Sequence, residues 1–539
     1  MIESLLVAAP LLPLALAVAC LWRPLREWMG GLLVLAPLPA LAAALFAADK
    51  PIVTLQHGLV PITFALDRPG AMLLGVSALL WIAAGAYGHR RLGGQPIGGQ
   101  AAVCWLLTLA GSIGVFVAAD MASFFMAYAL VSLPAWGLVI LDDTDEVRRA
   151  GALYITFAVL GETLLLIGFA LLAVAGGSLL IRDVLAALPR SPWRDITLAL
   201  LIAGFGMKIA LIPLHVWMPP TYRAAPISVA AVLSGAAVKA GVIGLIRFLP
   251  LGTATPAVGE ALAAIGLLGA FYGVAVGVVQ DHPKTILAYS SVSQMGLIAA
   301  VLGMGLAAGD SGAATAVAFY GAQHVLVKGA LFLAVGVATH GSGRKLWPVM
   351  VPAAVLALGL GGLPLTGGAL AKLVVKGILG GGIAGTLGDL SAAASTLLMI
   401  HFLRRLAAIP ALDDDANGMR LALPWLLLAA AAIAVPWLLF PLAAGGSRLA
   451  ALAPASLWAS LWPVLLGAGL ALLLRQFANR LPRIPAGDLL ALGPYAVPVV
   501  QRIGAASERL EAGLSRWPVA SLLLLAAAIL LGGGILIGR

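Results

Sequence analysis

Apolar runs follow one another along the chain, parted by short loops that gather arginine, proline and glycine. A helix rising 1.5 Å per residue crosses the hydrocarbon of a bilayer in about 20 residues, and most runs are that long. About sixteen spans are predicted on this length criterion. Their centres lie near Leu14, Pro37, Leu79, Ala110, Leu130, Glu162, Lys208, Gly235, Gly269, Leu297, His324, Leu360, Ser395, Ala430, Leu466 and Ala527. The period changes in residues 51–69, where apolar and polar positions alternate through Val53, Thr54 and Leu55 and again through Ile62, Thr63 and Phe64. That alternation predicts a short extended or hairpin segment on the membrane surface. The first run starts at Leu5 with no basic region before it and no clear cleavage site, so it reads as a spanning helix. Residues 475–518 are polar, basic and proline-punctuated, and 501–517 have amphipathic helical spacing. They predict an interfacial helix or a strap against partner subunits, with an ordinary solvated helix as the alternative, before a last span from about Val519.

Composition agrees with this pattern. Of 539 residues, 62% are hydrophobic and 10% charged, against roughly 45–50% and 25% in soluble domains. The chain reads as an all-α polytopic membrane protein embedded in a lipid bilayer. Its net charge of +10 is no sign of nucleic-acid binding, because the basic residues sit in short loops. Arg23, Arg26, Arg90, Arg91, Arg148, Arg149, Arg223, Lys284, Arg344, Lys345, Arg404 and Arg405 all follow odd-numbered spans. The sixth loop departs from this, with Arg182, Arg190 and Arg194 among Asp183 and Asp195. Positive charge holds loops inside, so the odd loops are expected in the cytoplasm and the N-terminus outside, in a bacterial-type inner membrane. Cys20 and Cys104 have no metal-site spacing, and neither a strand-linked GxGxxG nor a Walker loop occurs. No cofactor is expected on this chain, and any redox chemistry falls to partners.

Candidate chemistry lies in the ionisable residues inside the runs. Residues 204–244 are almost wholly apolar yet hold Lys208, His215 and Lys239, with Pro213 between the first two. A lysine at mid-bilayer costs about 2.5–3.5 kcal/mol on insertion scales, so it marks function. Residues 100–249 and 256–409 can be read as two five-helix units, and an odd number of helices inverts on repetition. Their third helices hold Glu162 and the pair His324 and Lys328. Their fourth hold Lys208 and Lys372, each beside a Pro or Gly interruption, and their fifth hold Lys239 and His401. Helices broken at matching places point to a transport site. Flanking them are spans in 1–99, two spans in 410–475, the segment 476–518 and the last span, 519–539. His215 reads as a supporting or helix-end residue, Lys376 as an interface snorkeller rather than an exit group, and Asp281, His282 and Lys284 as capping and topology residues.

The motifs FGMKIALIPLHVWMP (205–219), AAPISVAAVLSGAAVKAGVIGLIRF (224–248), HPKTILAYSSVSQMG (282–296), HVLVKGALFL (324–333) and GLPLTGGALAK (362–372) carry a family likeness. Together they resemble the antiporter-like membrane subunits of respiratory complex I, energy-converting hydrogenases and Mrp-type sodium/proton antiporters, over about residues 60–410. The resemblance implies about 14 core helices with two inverted five-helix repeats, each holding a discontinuous helix, and proton translocation along a hydrated axis. Lys208 matches the lysine of the first broken helix, Lys239 the connecting lysine, His324 and Lys328 the pair between the units, and Lys372 the charge of the second broken helix. One position departs. The family's fifth-span glutamate aligns with Tyr128, Ala129 and Leu130, so Glu162 is the expected substitute.

An unperturbed lysine titrates near 10.4 and holds its proton at neutral pH; burial weakens that hold and a nearby carboxylate restores it. Glu162 is therefore expected to modulate Lys208, with Lys239, His324 and Lys328 as relay and Lys372 as terminal donor, His401 nearby. The reading favours a proton-translocating subunit of a complex I-like or hydrogenase-like redox complex, among other membrane subunits. An Mrp-type antiporter subunit moving protons or sodium, a membrane partner for inorganic-carbon uptake, and an inert scaffold are the alternatives.

Overall fold

The computed structural model describes residues 2–20, 22, 28–50, 52–55, 61–91, 99–339, 347–410 and 415–476, with 484–485 and 487–489. One compact unit runs from Met1 to Ala486, and a second from Gly487 to Arg539 lies almost wholly outside the described residues. The expected amphipathic segment 501–517 and the last span also lie outside them.

The sequence-based span centres from Leu14 to Leu466 all fall within helices or at their caps. The chain opens with α1 (Ile2–Ala19), α2 (Met29–Leu35) and α3 (Leu38–Phe46). The surface segment is a hairpin, β1 (Val53–Leu55) antiparallel to β2 (Ile62–Phe64), with Thr54 opposite Thr63. Helix α4 (Arg68–Arg91) follows. The stretch read above as the first five-helix unit holds α5 (Gly99–Val117), α6 (Met121–Val139), α7 (Asp145–Gly176) with the short α8 (Ile181–Ala187), α9 (Arg194–Ile209) continued past a break by α10 (Met218–Ala224), and α11 (Ile227–Val232) with α12 (Lys239–Phe248). The stretch read as the second holds α13 (Pro256–Gly277), α14 (Pro283–Ala308), α15 (Gly312–Ala338), α16 (Trp347–Gly361) continued by α17 (Gly367–Leu379), and α18 (Ile383–Ala407). Two long helices close the unit, α19 (Asp415–Ala444) and α20 (Pro454–Gln476).

Among the described residues, twelve helices are long and apolar enough to cross a membrane. The chain is thus an all-α polytopic membrane protein apart from its hairpin. Local signals set the helix ends. Asp120 caps α6 by accepting from Ser123 N, and the same carboxylate accepts from Thr63 N, tying the hairpin to that helix. Thr144 caps α7, Asp145 and Glu146 fill its first turn, and Gly177 in the left-handed region ends it. Arg247, at the end of α12, donates to Val115, Phe116 and Ala118 carbonyls at the end of α5 and pairs with Asp67 at 3.2 Å.

Both fourth helices are interrupted. Helix α9 stops at Ala210, whose φ of 57° is left-handed, and the chain turns through Pro213 before α10. Helix α16 stops at Gly361, and Gly362 (φ 103°) and Leu365 (φ 67°) turn the chain into α17. A non-glycine residue there is strained by about 1–2 kcal/mol, and each break has one. The breaks differ in one respect that the sequence pairing did not anticipate: Lys208 precedes its break, whereas Lys372 follows its own.

Helices α13 and α14 touch backbone to backbone along three glycines of one and two of the other. A Cβ added at Gly266 would stand 2.5 Å from Ala300 N and from Gly296 O, and one at Gly273 2.6 Å from Tyr289 O. No side chain fits, so Gly266→Leu should abolish accumulation of the folded protein in membranes. Gly377, with nothing within 4 Å of an added Cβ, is the control: Gly377→Ala should leave expression and thermal stability unchanged or raised.

Candidate functional site

Three clusters of polar groups lie among these helices, the first two buried and the third partly exposed. The first surrounds Lys208, which is 6% exposed. Its amine donates to Ser132 Oγ at 2.8 Å and stands 5.6 and 5.7 Å from the ring centres of Tyr128 and Tyr154. The Ser132 hydroxyl itself donates to Tyr128 O at 3.1 Å. Glu162, on α7, lies near enough to interact with both Ser132 and Lys208, and its Oε1 is buried without a hydrogen-bond partner. Ser132 thus stands beside both amine and carboxylate. The aromatic faces hold the cation by quadrupole attraction, which is stronger where water is excluded. Glycine brings the next helix close: a Cβ on Gly241 would lie 3.0 Å from Lys208 Cβ and 2.9 Å from Phe205 O. Helix α12, which begins with Lys239, therefore packs on the last turn of α9.

The second cluster joins the two units. Lys239 Nζ lies 3.0 Å from His324 Nδ1, and neither residue has exposed surface. A lysine ammonium has donors only, so a neutral His324 accepts at Nδ1 and carries its proton on Nε2. That Nε2 is buried without a partner. Lys328, one turn on, donates to Leu287 O of α14 at 2.7 Å. Tyr320, His324 and Lys328 recur every fourth residue and share one face of α15. Tyr320 donates to Gln294 Oε1 at 2.5 Å, and Gln294 Nε2 donates to Ser395 Oγ at 2.9 Å, which carries the polar line from α15 through α14 to α18.

The third cluster lies at the second break. Half-buried Lys372 donates to Gly361 O at 3.3 Å, a carbonyl that the end of α16 leaves free. Lys376 pairs with Asp389 of α18 at 3.0 Å, and Gly362, Lys372, Lys376, Asp389 and Ser460 border one cavity.

The expected residues separate into two groups. Lys208 and Glu162 meet beside Ser132, Lys239 and His324 touch, and Lys328 sits on the same helix face. His215 is fully buried in the first break, its ring 5.0 Å from Tyr272 and 6.4 Å from Tyr289. His401 is not beside Lys372, contrary to expectation. Its Nε2 lies 2.7 Å from Gln280 O, four residues before Arg405, which pairs with Asp281. Asp389, which belongs to the Lys372 cluster, is twelve residues earlier on α18, about 18 Å along a helix axis. Lys376 is no lone snorkeller, since Asp389 pairs with it. Sequence reasoning missed Asp389 and Ser132. The signal for the first was a carboxylate inside an apolar run that also begins the last helix of its unit. For the second it was a hydroxyl one turn past Ala129, where the carboxylate is missing.

Residues 118–390 match the transmembrane family of NADH:quinone oxidoreductase and Mrp antiporter subunits. The chain belongs to this family. The matched region holds Ser132, Glu162, Lys208, Lys239, His324, Lys328, Lys372 and Asp389; His401 lies outside it. An uncharacterized protein of Mycobacterium tuberculosis is 31% identical over 338 residues, covering 58% of this chain and 52% of that one, so the chain spans about half that relative's length. NADH-quinone oxidoreductase subunit N of Salinispora tropica is 32% identical over 357 residues, covering 60% of this chain and 68% of the relative. A chain of the Mrp complex from a Dietzia species shares the fold, with TM-score 0.73 at 22% identity over 99% of this chain and 63% of that one.

Ser132→Ala leaves a buried ammonium without its acceptor, a loss of about 1–3 kcal/mol. The melting temperature of the purified protein should fall, and Ser132→Thr should recover part of it. An unchanged melting temperature would show that the hydroxyl does not hold the amine.

Proposed function

We propose that this chain is the proton-translocating, antiporter-like subunit of a complex I-like or hydrogenase-like redox complex. Protons move along the Glu162, Lys208, Lys239, His324, Lys328 and Lys372 axis. The observation that carries this reading is the contact of Lys239 with His324, two bases from different units held 3.0 Å apart in the interior. Two positive charges at that separation repel strongly in a low dielectric, so the pair favours one proton between them. A proton arriving on one base drives the other's onward, which is the elementary act of a relay.

Glu162 acts at the input. When it is charged and close to Lys208 and Ser132, the amine keeps its proton; when a rearrangement separates them, the amine gives the proton toward Lys239. This substitutes for the carboxylate absent at Ala129. Lys328 and the Tyr320, Gln294 and Ser395 line continue the path within the second unit toward its break. Lys372 receives the proton at the second break, and Asp389, the ion-pair partner of Lys376, borders the same cavity where His401 was expected nearby. The orphaned Glu162 Oε1, Tyr154 hydroxyl, Gln323 Nε2 and His324 Nε2 support hydration of the axis, since buried polar atoms of native proteins pair with protein or water. The two five-helix units stand as inverted repeats in this reading, with the N-terminus outside a bacterial inner membrane and other membrane subunits as neighbours.

An Mrp-type sodium/proton antiporter subunit is the second reading. The fold match over 99% of the chain to a member of an Mrp complex favours it.

The test is reconstitution of the intact membrane assembly in sealed vesicles. Lys208→Ala and Lys372→Ala should each lower proton movement by about ten-fold or more, since each removes an ionisable group through which the proton must pass. Unchanged movement in both defeats the relay. Proton movement driven by an imposed sodium gradient, without a redox donor, would select the second reading. A separate expectation concerns Glu162→Gln, which keeps the shape and removes the charge: proton movement should fall while the assembly stays intact.

A further inference from the structure

Between α11 and α12 the helix widens for one turn. Residues Leu233–Ala237 form a π turn, closed by Val238 N donating to Leu233 O at 3.2 Å. A π turn inserts one residue into the helical count, and such insertions are rarely neutral in energy. Lys239 is the second residue after it. Each α-helical residue turns the chain by about 100°. Closing the insertion would therefore swing Lys239 away from His324, so the widened turn is what aims the amine.

Two contacts hold that turn. Gly235 lies against α15: an added Cβ would stand 3.0 Å from Val325 O, next to His324. From the other side, the Tyr222 hydroxyl of α10 donates to Leu233 O at 3.3 Å, the same carbonyl that accepts the π bond. Tyr222 is fully buried. Its ring meets Trp217 edge-on at 6.1 Å, Trp217 Nε1 donates to Met207 O at 2.8 Å, and Trp217 packs on Tyr154 at 5.4 Å. Tyr154 is one of the two rings beside the Lys208 amine. A continuous set of packed and hydrogen-bonded groups thus runs from the first broken helix to the carbonyl that closes the π turn.

We propose that Tyr222 is a positioning residue for the relay: its hydroxyl holds the π turn that aims Lys239 at His324, and it makes that aim depend on the arrangement around Lys208. The inference rests on the relay reading above. It gives the broken helix a mechanical output. When the turn at 210–217 shifts with Lys208 and Glu162, Trp217 and Tyr222 shift with it, and the Leu233 carbonyl gains or loses its second donor.

The test uses the intact assembly with Tyr222→Phe, which keeps the ring and removes only the hydroxyl. Proton movement per assembled complex should fall by about five-fold, the factor that one modest hydrogen bond represents. The assembled amount and melting temperature should hold. Amide exchange at Val238 should quicken. Glu162→Gln should alter Val238 exchange in the parent chain and leave it unaltered in the Tyr222→Phe chain. If Tyr222→Phe fails to accumulate, 3,5-difluorotyrosine at 222 sharpens the donor, and Val238 exchange should slow. Unchanged movement per complex in Tyr222→Phe, while Lys239→Ala abolishes it, overturns the role of Tyr222 and leaves the relay standing. A fall confined to the assembled amount also overturns it. Full movement in Lys239→Ala sinks the relay, and the role of Tyr222 with it.

Discussion

A cation buried in hydrocarbon must find an oxygen, a nitrogen or an aromatic face, and the architecture follows from that demand. Lys208 has Ser132 and two tyrosine rings, Lys239 has His324, Lys328 has the Leu287 carbonyl, and Lys372 has the Gly361 carbonyl. An intact helix offers few of these, because its own amides occupy its carbonyls. Breaking one releases acceptors at mid-depth, and the surrounding protein keeps them from lipid. The strained Ala210 and Leu365 stand at these breaks; the second frees the Gly361 carbonyl for Lys372 and the first the Met207 carbonyl for Trp217 Nε1.

Much of this was legible in the sequence. Run length located the helices, Pro213 and the Gly362 to Gly368 stretch located the breaks, and the lysines located the polar clusters. What stayed hidden depended on rotation between helices. Ser132 and Glu162 are 30 positions apart in number, and only the angle between α6 and α7 shows that both face Lys208. Asp389 went unread until α17 and α18 placed it against Lys376. His401 was misplaced because its position in the unit was known but its depth was not. The π turn left no periodic trace, since one extra residue in an all-apolar run changes no pattern that hydropathy can detect.

The chain also shows how a missing group can be replaced without moving the site. Ala129 occupies the position where the resemblance expects a carboxylate, and the small side chain leaves the Lys208 pocket to α7. In the proposed relay Glu162 enters from that second helix, with Ser132 lying beside both it and Lys208 in place of a direct ion pair. A pair held apart is weaker than a touching one, because Coulomb attraction falls with distance. It also separates with less displacement, which suits the opening and closing that the proposed relay asks of it.

The glycine seam between α13 and α14 has a further consequence. With backbones in direct contact at Gly266 and Gly296, neither helix can roll or slide past its neighbour without collision. The seam lies where the second unit begins, and α14 supplies both Leu287 and Gln294 to the polar line. The seam is thus a fixed frame inside the second unit, and flexure there falls to the interrupted helix α16–α17 beside it.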